Sequence, residues 1–302
     1  MFYARLTLLR GAPSITGLVI CALTCWPVSL PAQQRSQVSP DTLCVMTYNL
    51  RYANSDSSEA WSKRRPLMAE LIRQVSPDVM GTQEGLYRQL KDLAADLPDY
   101  DWIGLGRDGG SRGEFMAVFY RRARLESLAF DHFWLSDTPE AMGSKTWGPK
   151  LPRMVTWIKF LDRVTKMEFC LFNTHFDHQH QEARERSAEL VRQRVGVLDK
   201  KLPVLLVGDF NAAAGNNKAY DILTADRFFA DTWSAARERV NEGIGTFNGF
   251  KAIQTNGPRI DWILSRGDVI VDRSEIVSFQ RDGRFPSDHF PVVVRVHLGM
   301  TP

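Results

Sequence analysis

The residues best placed to do chemistry lie in the stretch Pro203–Ala214, PVLLVGDFNAAA. Val204 to Val207 is a short apolar run that suits a strand buried on both faces. Gly208 lets the backbone approach another group closely. Asp209 and Asn211 follow two residues apart, a spacing that puts both side chains on one face of an extended chain. A carboxylate there can accept a proton from water, and an amide can hold that water or a phosphate oxygen. Taken alone, the same residues also fit an Asp/Asn turn closing an ordinary strand.

The pattern recurs. Apolar, strand-like runs end on Asn49, Glu84 and His175; Asp261 sits in RIDWIL, and Asp288 and His289 precede the last apolar run. Strand ends of buried sheets in α/β proteins converge at one edge and carry the site there. Two histidines, four acidic groups and two amides suit hydrolysis of a phosphoester. Glu84 can bind a hard cation through oxygen. Asp209 and Asn211 can position a water and take its proton, and His289 and His175 can offset charge building on the phosphoryl oxygens. Each residue also has a plainer reading: Asn49 and Glu84 as loop caps, the histidines as satisfied core residues, Asp261 as the partner of Arg259.

The elements that would position these groups alternate. Strands are expected at Leu43–Asn49, Asp78–Glu84, Tyr100–Leu105, Glu114–Tyr120, Leu125–Leu135, Val155–Phe160, Met167–His175, Arg259–Leu264 and Val269–Phe279, with a last one opened by Ser287-Asp288-His289. Helical spacing appears over Ser57–Gln74, Leu86–Leu97 and Gln181–Leu198, with a short piece at Ala219–Leu223. In the first of these Lys63, Arg64 and Arg65 fall between the apolar positions. The glycine-rich loop Gly106–Gly113 lacks the strand-loop-helix context of a nucleotide-binding motif. This alternation, with no repeat and no change of composition, predicts one α/β sandwich domain over residues 43–298.

TYNLR at Thr47–Arg51, TQE at Thr82–Glu84, NTHFDH at Asn173–His178, GDFN at Gly208–Asn211, RID at Arg259–Asp261 and SDHFPV at Ser287–Val292 occur in one order. Together they resemble the endonuclease/exonuclease/phosphatase (DNase I-like) superfamily, and the wording is most similar to secreted bacterial members with deadenylase-like motifs. The resemblance implies a four-layer α/β sandwich, two mixed β-sheets flanked by helices, with the site at their shared edge. It makes Glu84 the principal Mg²⁺ ligand (Mn²⁺ as substitute), with Asn49 and Asp288 nearby as further oxygen ligands. Asp209 would orient or deprotonate the attacking water, and Asn211 would hold water and phosphate. His289 would bind phosphate with its ring fixed by Asp261. His175 would be supported by Glu114, and Arg153 would bind phosphate. The chain lacks the inositol-phosphatase version of RIDWIL and an obvious aromatic hairpin for membranes. The implied activity is metal-dependent phosphodiester hydrolysis, nuclease-type first. A lipid or small-molecule phosphoesterase is the second reading, and a catalytically silent binding module the third. No metal, base or phosphate-binding residue is missing, which argues against the third. Loops 107–114, 136–152 and 241–258 would choose the substrate.

The formal net charge is only +3, and Arg5 and Arg10 supply two of those charges. An indiscriminate, strongly basic nucleic-acid binder is therefore not indicated. Residues 1–32 read as an export signal. The two arginines precede the mostly apolar Ile15–Trp26, too short to span a bilayer, and Pro31-Ala32 offers a cleavage site. Residues 33–42 read as a linker. Cys21 and Cys25 keep a lipoprotein reading open. A periplasmic or extracellular monomer with no obligate protein partner is expected. Cys44 and Cys170 lie in apolar runs and are read as buried core thiols rather than a disulfide.

Overall fold

The structure, a computed structural model, describes residues 39–54 and 58–299. The stretch read as an export signal, and residues 33–38 of the linker, lie outside the described residues.

Strands β1 (Leu43–Asn49), β2 (Val79–Gln83), β4 (Tyr100–Ile103), β6 (Val118–Arg121), β12 (Glu238–Val240), β14 (Val269–Ile276) and β15 (Val292–Leu298) form one mixed sheet, ordered β12-β14-β15-β1-β2-β6-β4. Strands β7 (Leu125–Trp134), β8 (Met154–Asp162), β9 (Glu168–His175), β10 (Val204–Asp209), β11 (Ala230–Asp231) and β13 (Asp261–Arg266) form a second, ordered β11-β13-β10-β9-β8-β7. A ribbon pairs β3 (Gly85–Leu86) with β5 (Glu114–Phe115). The helices are α1 (Trp61–Val75), α2 (Tyr87–Asp96), α3 (Gln181–Gly196), α4 (Lys218–Thr224) and the single turn α5 (Thr232–Ala235).

Period-two alternation builds four layers from these elements. Leu43 and Val45 of β1 point inward, onto Ile158, Phe160, Phe169, Leu171, Leu205 and Val207 of the second sheet. Cys44, Met46 and Tyr48 point outward, onto Trp61, Met68, Leu71 and Ile72 of α1 and Leu90 and Leu93 of α2. On the other side Leu206, Cys170 and Phe172 pack under Ala188, Val191 and Val195 of α3 and Ala219 and Leu223 of α4. Cys44 and Cys170 are buried free thiols.

Register decides what the inner faces present at their ends. β1 and β2 run parallel with Asn49 opposite Gln83. β9, β10 and β13 align His175, Asp209 and Asp261 as direct neighbours. The inward rows that begin with Leu43 and Leu205 thus end in polar groups at one edge of the sandwich. Just before that edge the sheets are tied by amides. Gln83 Nε2 donates to Asn173 Oδ1 (2.7 Å) and to Thr47 Oγ1, and Asn173 Nδ2 donates to the carbonyls of Thr82 and Ala117. The sheets approach so closely there that a Cβ on Gly81 would lie 2.5 Å from Val207 Cγ2. A side chain would overpack this junction, at about 1–3 kcal/mol. Gly208 is needed for the same reason, because its Cβ would meet the Thr174 carbonyl oxygen at 2.3 Å.

Two expected strands differ. The run Glu114–Tyr120 breaks at Met116-Ala117, where the Ala117 carbonyl turns to accept Asn173 and Thr82. The last strand opens at Val292 rather than at Ser287, because residues 287–290 bond across to Asn49 and Thr246 as a loop.

Candidate active site

The polar strand ends converge on a cavity of about 460 Å³ lined by Glu84, Glu114, Arg153, His175, Asp209, Asn211, Asp288 and His289, among others. Two of the predicted residues stand just behind its wall. Asn49 is fully buried and Asp261 nearly so.

Asp209 is the centre. One oxygen, Oδ1, accepts the Asn211 N–H at 2.9 Å; the other accepts Asn49 Nδ2 at 2.9 Å. His175 Nε2 stands 3.5 Å from Oδ2 and His289 Nε2 stands 3.8 Å from it. Burial, with the charge of Asp261 added, pushes the Asp209 carboxyl up to about 7, against the pull of His289. A base poised near neutral pH is what proton abstraction from water asks for. His289 Nδ1 faces both oxygens of Asp261, at 3.0 and 3.2 Å. Burial works against its charge, but the carboxylates of Asp261 and Asp209 outweigh burial and push the imidazole up to about 10. The imidazolium is therefore the resting form, its Nδ1–H held by Asp261 and its Nε2–H turned to the cavity side. Arg259 does not compete for Asp261; it donates to Asp231 at 2.7 Å. His175 is the opposite case. Burial and the nearby arginines Arg153 and Arg107 lower its pKa well below the ordinary value, so it is neutral.

Glu84 closes β2 with φ of 62°, and Arg51 and Asn211 share that left-handed region at 53° and 48°. Non-glycine residues held there cost of order 1–3 kcal/mol each and persist where surrounding contacts fix them. Asn49 Nδ2 and Tyr52 N–H hold the two oxygens of Glu84 at 3.0 and 3.1 Å. The Arg51 guanidinium lies 3.7 Å from Glu84 and 3.6 Å from Asp288, so these carboxylates already share one positive charge. Carboxylate oxygens drawn around a cation are the donor set that Mg²⁺ and Mn²⁺ prefer. Glu84, His175 and Asp209 also bring ligand atoms within 4.8 Å of one another. The residues present fit a divalent cation beside Glu84.

The structure changes two expected roles. Asn49 does not turn an oxygen to the cation position. Its N–H₂ bridges Glu84 and Asp209, and its oxygen accepts the Arg51 N–H at 2.9 Å. It acts as a spacer between carboxylates, because β1 ends between them. Glu114 does not support His175. Both of its oxygens take Arg107, at 2.6 and 3.0 Å, and His175 Nδ1 has no hydrogen-bond partner. Burial, opposed by Arg107 and reinforced by Glu84, pushes Glu114 up to about 7. Arg153 is buried; Nη2 donates to His178 Nδ1 at 2.9 Å, while Nε and Nη1 have no hydrogen-bond partner.

Sequence reasoning gave no individual role to six cavity residues: Arg51, Tyr52, Arg107, Leu151, His178 and Phe247. Arg51 and His178 were in view, inside TYNLR and NTHFDH. Phe247 meets the His289 ring edge-on at 5.1 Å. Nothing in the loop sequences 106–113 and 241–258 marks Arg107 or Phe247, since a pairing across a loop leaves no periodic trace.

Comparison with known proteins identifies the family. An uncharacterized protein of Acanthamoeba polyphaga mimivirus is 30% identical over 179 residues, 56% of this chain, and the match spans 65% of that protein's length. A Bacteroides thetaiotaomicron structure described as an endonuclease/exonuclease/phosphatase family protein is 37% identical over 86% of this chain and 98% of its own, with a TM-score of 0.81. A mannosyl-6-phosphatase of the same organism is 38% identical over 84% of this chain and 99% of its own, with a TM-score of 0.79. The model of the endonuclease/exonuclease/phosphatase family matches residues 46–289, and the chain belongs to that family of phosphoester hydrolases.

Proposed function

We propose that the protein is an exported, Mg²⁺-dependent phosphatase whose substrates are small phosphomonoesters on a sugar-like alcohol. The observation that carries this reading is the compactness of the cavity, about 460 Å³, with Arg153 and the His289 imidazolium in its wall. Arg51 and Arg107 are already paired with Glu84, Asp288 and Glu114, so charge-assisted donors to a small phosphoryl group come from His289 Nε2 and Arg153. The 38% identical mannosyl-6-phosphatase supports it. Export rests on Arg5, Arg10 and the apolar stretch that follows.

Asn211 and Asp209 hold the attacking water; Asp209 takes its proton as the water oxygen bonds to phosphorus, and the phosphorus–oxygen bond to the sugar-like alcohol breaks, the alcohol leaving with a proton from solvent. His289 donates from Nε2 to a phosphoryl oxygen while Asp261 keeps the ring in place. Arg153 adds positive charge from the cavity wall. Glu84 and Asp288 would hold a divalent cation, which when bound would supply Lewis-acid neutralisation of phosphoryl charge.

Nucleic acid is the second reading, favoured by the open side of the cavity at Tyr52 and Phe247, where a base can stack. Against it, many surface arginines are tied to acids rather than forming a free basic stripe. Examples are Arg186 with Glu182, Arg192 with Asp226, Arg237 with Asp272 and Arg273 with Glu238. A hydrolysis panel in Mg²⁺ tests both: sugar phosphates, their methyl diesters, DNA, RNA and sphingomyelin, each with Asp209→Asn as control. Faster turnover of sugar monoesters than of any diester is expected. Preference for DNA or RNA overturns the substrate class, and equal rates with Asp209→Asn overturn the site.

A further inference from the structure

Arg64 is a buried charge that the reaction does not use. It lies on α1 at a core position, three residues after Trp61 and four before Met68, on the stripe that faces the first sheet. It is 2% exposed. All five of its N–H donors are spent on main-chain carbonyls. Nε donates to Glu59 (2.7 Å), Nη1 to Leu50 and Pro286 (both 2.8 Å), and Nη2 to Arg51 (2.9 Å) and Tyr52 (3.3 Å). A guanidinium with five rigidly forked donors can do this; an ammonium cannot.

Four of these carbonyls belong to two segments beside the candidate cation ligands: residues 50–52, which hydrogen-bond Glu84, and the segment that leads into Asp288. Residues 50–52 follow Asn49, and the Tyr52 N–H holds Glu84 Oε2. Pro286 comes two residues before Asp288, whose neighbour Ser287 donates to the Asn49 carbonyl. These segments are more than 200 residues apart in sequence, with 222 separating Arg64 from Pro286. Gln89 holds the first segment from its other side, through the Arg51 carbonyl and the Ala53 N–H. Without Arg64 the turn therefore loosens rather than unravels.

We propose that Arg64 is the positioning residue of the cation site: by clamping residues 50–52 to Pro286 it sets the separation of Glu84 and Asp288, and with it the affinity for a divalent cation. This rests on the cation reading above. Groups that orient metal ligands in this way are worth about 10–100-fold in affinity.

The test is Mn²⁺ binding to the full chain, by calorimetry and by the electron paramagnetic resonance of free Mn²⁺, with melting temperature measured in parallel. Four proteins are compared: wild type, Arg64→Lys, Arg64→Met and Arg124→Met. Arg124 is an ion-paired arginine beside Asp78 and Asp162, which flank the opposite ends of β2 and β8, so its loss destabilises without touching the site. Both Arg64 variants are expected to bind Mn²⁺ about 10–100-fold more weakly, the lysine less severely. Arg124→Met is expected to melt earlier and bind as wild type does. Wild-type affinity in the Arg64 variants overturns the proposal, as does equal weakening in Arg124→Met. If Arg64→Met does not fold, the lysine variant decides. A wild-type chain that binds no Mn²⁺ overturns the cation reading and takes this proposal with it; normal wild-type binding with unaffected variants overturns Arg64 alone.

Discussion

The two ends of the sandwich are built from the same strands and treat charge in opposite ways. At the end where β1 begins, Arg124 donates to Asp162 at 2.9 and 3.1 Å and to the Thr42 carbonyl, and Asp78 accepts the Cys44 N–H. Asp162 also accepts from Val164 and Thr165. Burial works against its charge, yet these donors hold its carboxyl below the ordinary value. At the end where β1 finishes, three residues sit in left-handed backbone, buried donors of Arg153, Arg107 and His175 lack partners, and Asp209 and Glu114 are pushed up to about 7. The first end spends its polar groups on one another. The second pairs some of them, Arg107 with Glu114 and His289 with Asp261, but leaves others unpartnered, which costs stability and leaves protonation of Asp209 and Glu114 near balance at working pH.

The sharpest break in that comparison is Asp209→Asn. Loss of the base should reduce kcat/KM by about 10²–10⁴-fold. Stability should not fall. The folded-state carboxyl lies above its unfolded value of 3.8, so the folded chain holds the proton more tightly between about 4 and 7, and stability declines as pH rises through that window. Asparagine removes the decline, and thermal melting at pH 8 should show an equal or higher midpoint. A lower midpoint would place Asp209 with the structural groups.

Next in size is the His289–Asp261 pair. His289→Ala should cost about 10²–10³-fold in kcat/KM, the scale of one lost donor to developing charge. Adding Asp261→Asn should cost little more, because the two act as one unit. Multiplicative losses would separate them. Nuclear magnetic resonance of the His289 ring should show it protonated up to about pH 10, and Asp261→Asn should bring that titration down. No movement would remove Asp261 from the account.

At the opposite end Arg124→Met should cost about 3 kcal/mol by stranding Asp162, while kcat/KM at full folding stays unchanged. Because Asp162 lies below its unfolded value, its contribution is present above pH 3.8 and is lost as pH falls through the folded value. The gap between variant and wild type in denaturant titration should therefore narrow in acid. A constant gap would mean that charge pairing is not what is lost. The smallest effect is expected for His178→Ala. The imidazole accepts from Arg153 at Nδ1, so its proton stands on Nε2 at the cavity. One neutral hydrogen bond to substrate is worth up to about tenfold, read in KM. A 10³-fold loss in kcat would make it a catalytic group.

Local pattern was enough for the longer strands and helices and for bringing most of the named polar residues to one cavity. Alternating apolar residues in β1 and β10 place Asn49 and Asp209 on inward faces, and that alternation depends only on the backbone's period of two. Residue type was enough for the kind of chemistry, since Asp209, Asn211 and His289 can do few other things together. Partner choice was beyond it. Arg64 reads as a surface charge between Lys63 and Arg65, and only the docking of α1 on the first sheet buries it under carbonyls of residues 50–52 and 286. Glu114 was expected beside His175 and meets Arg107 instead, because the break at Met116-Ala117 turns β5 to pair with β3. Asn49 was expected to turn an oxygen to the cation; the convergence of β1 with Glu84 and Asp209 turns its N–H₂ to them. Which strand-end groups reach the edge, and on which face, follows from strand periodicity, which is local. Tertiary structure alone decided which charge meets which, because those distances are set by sheet register and by loops joining residues up to 238 positions apart.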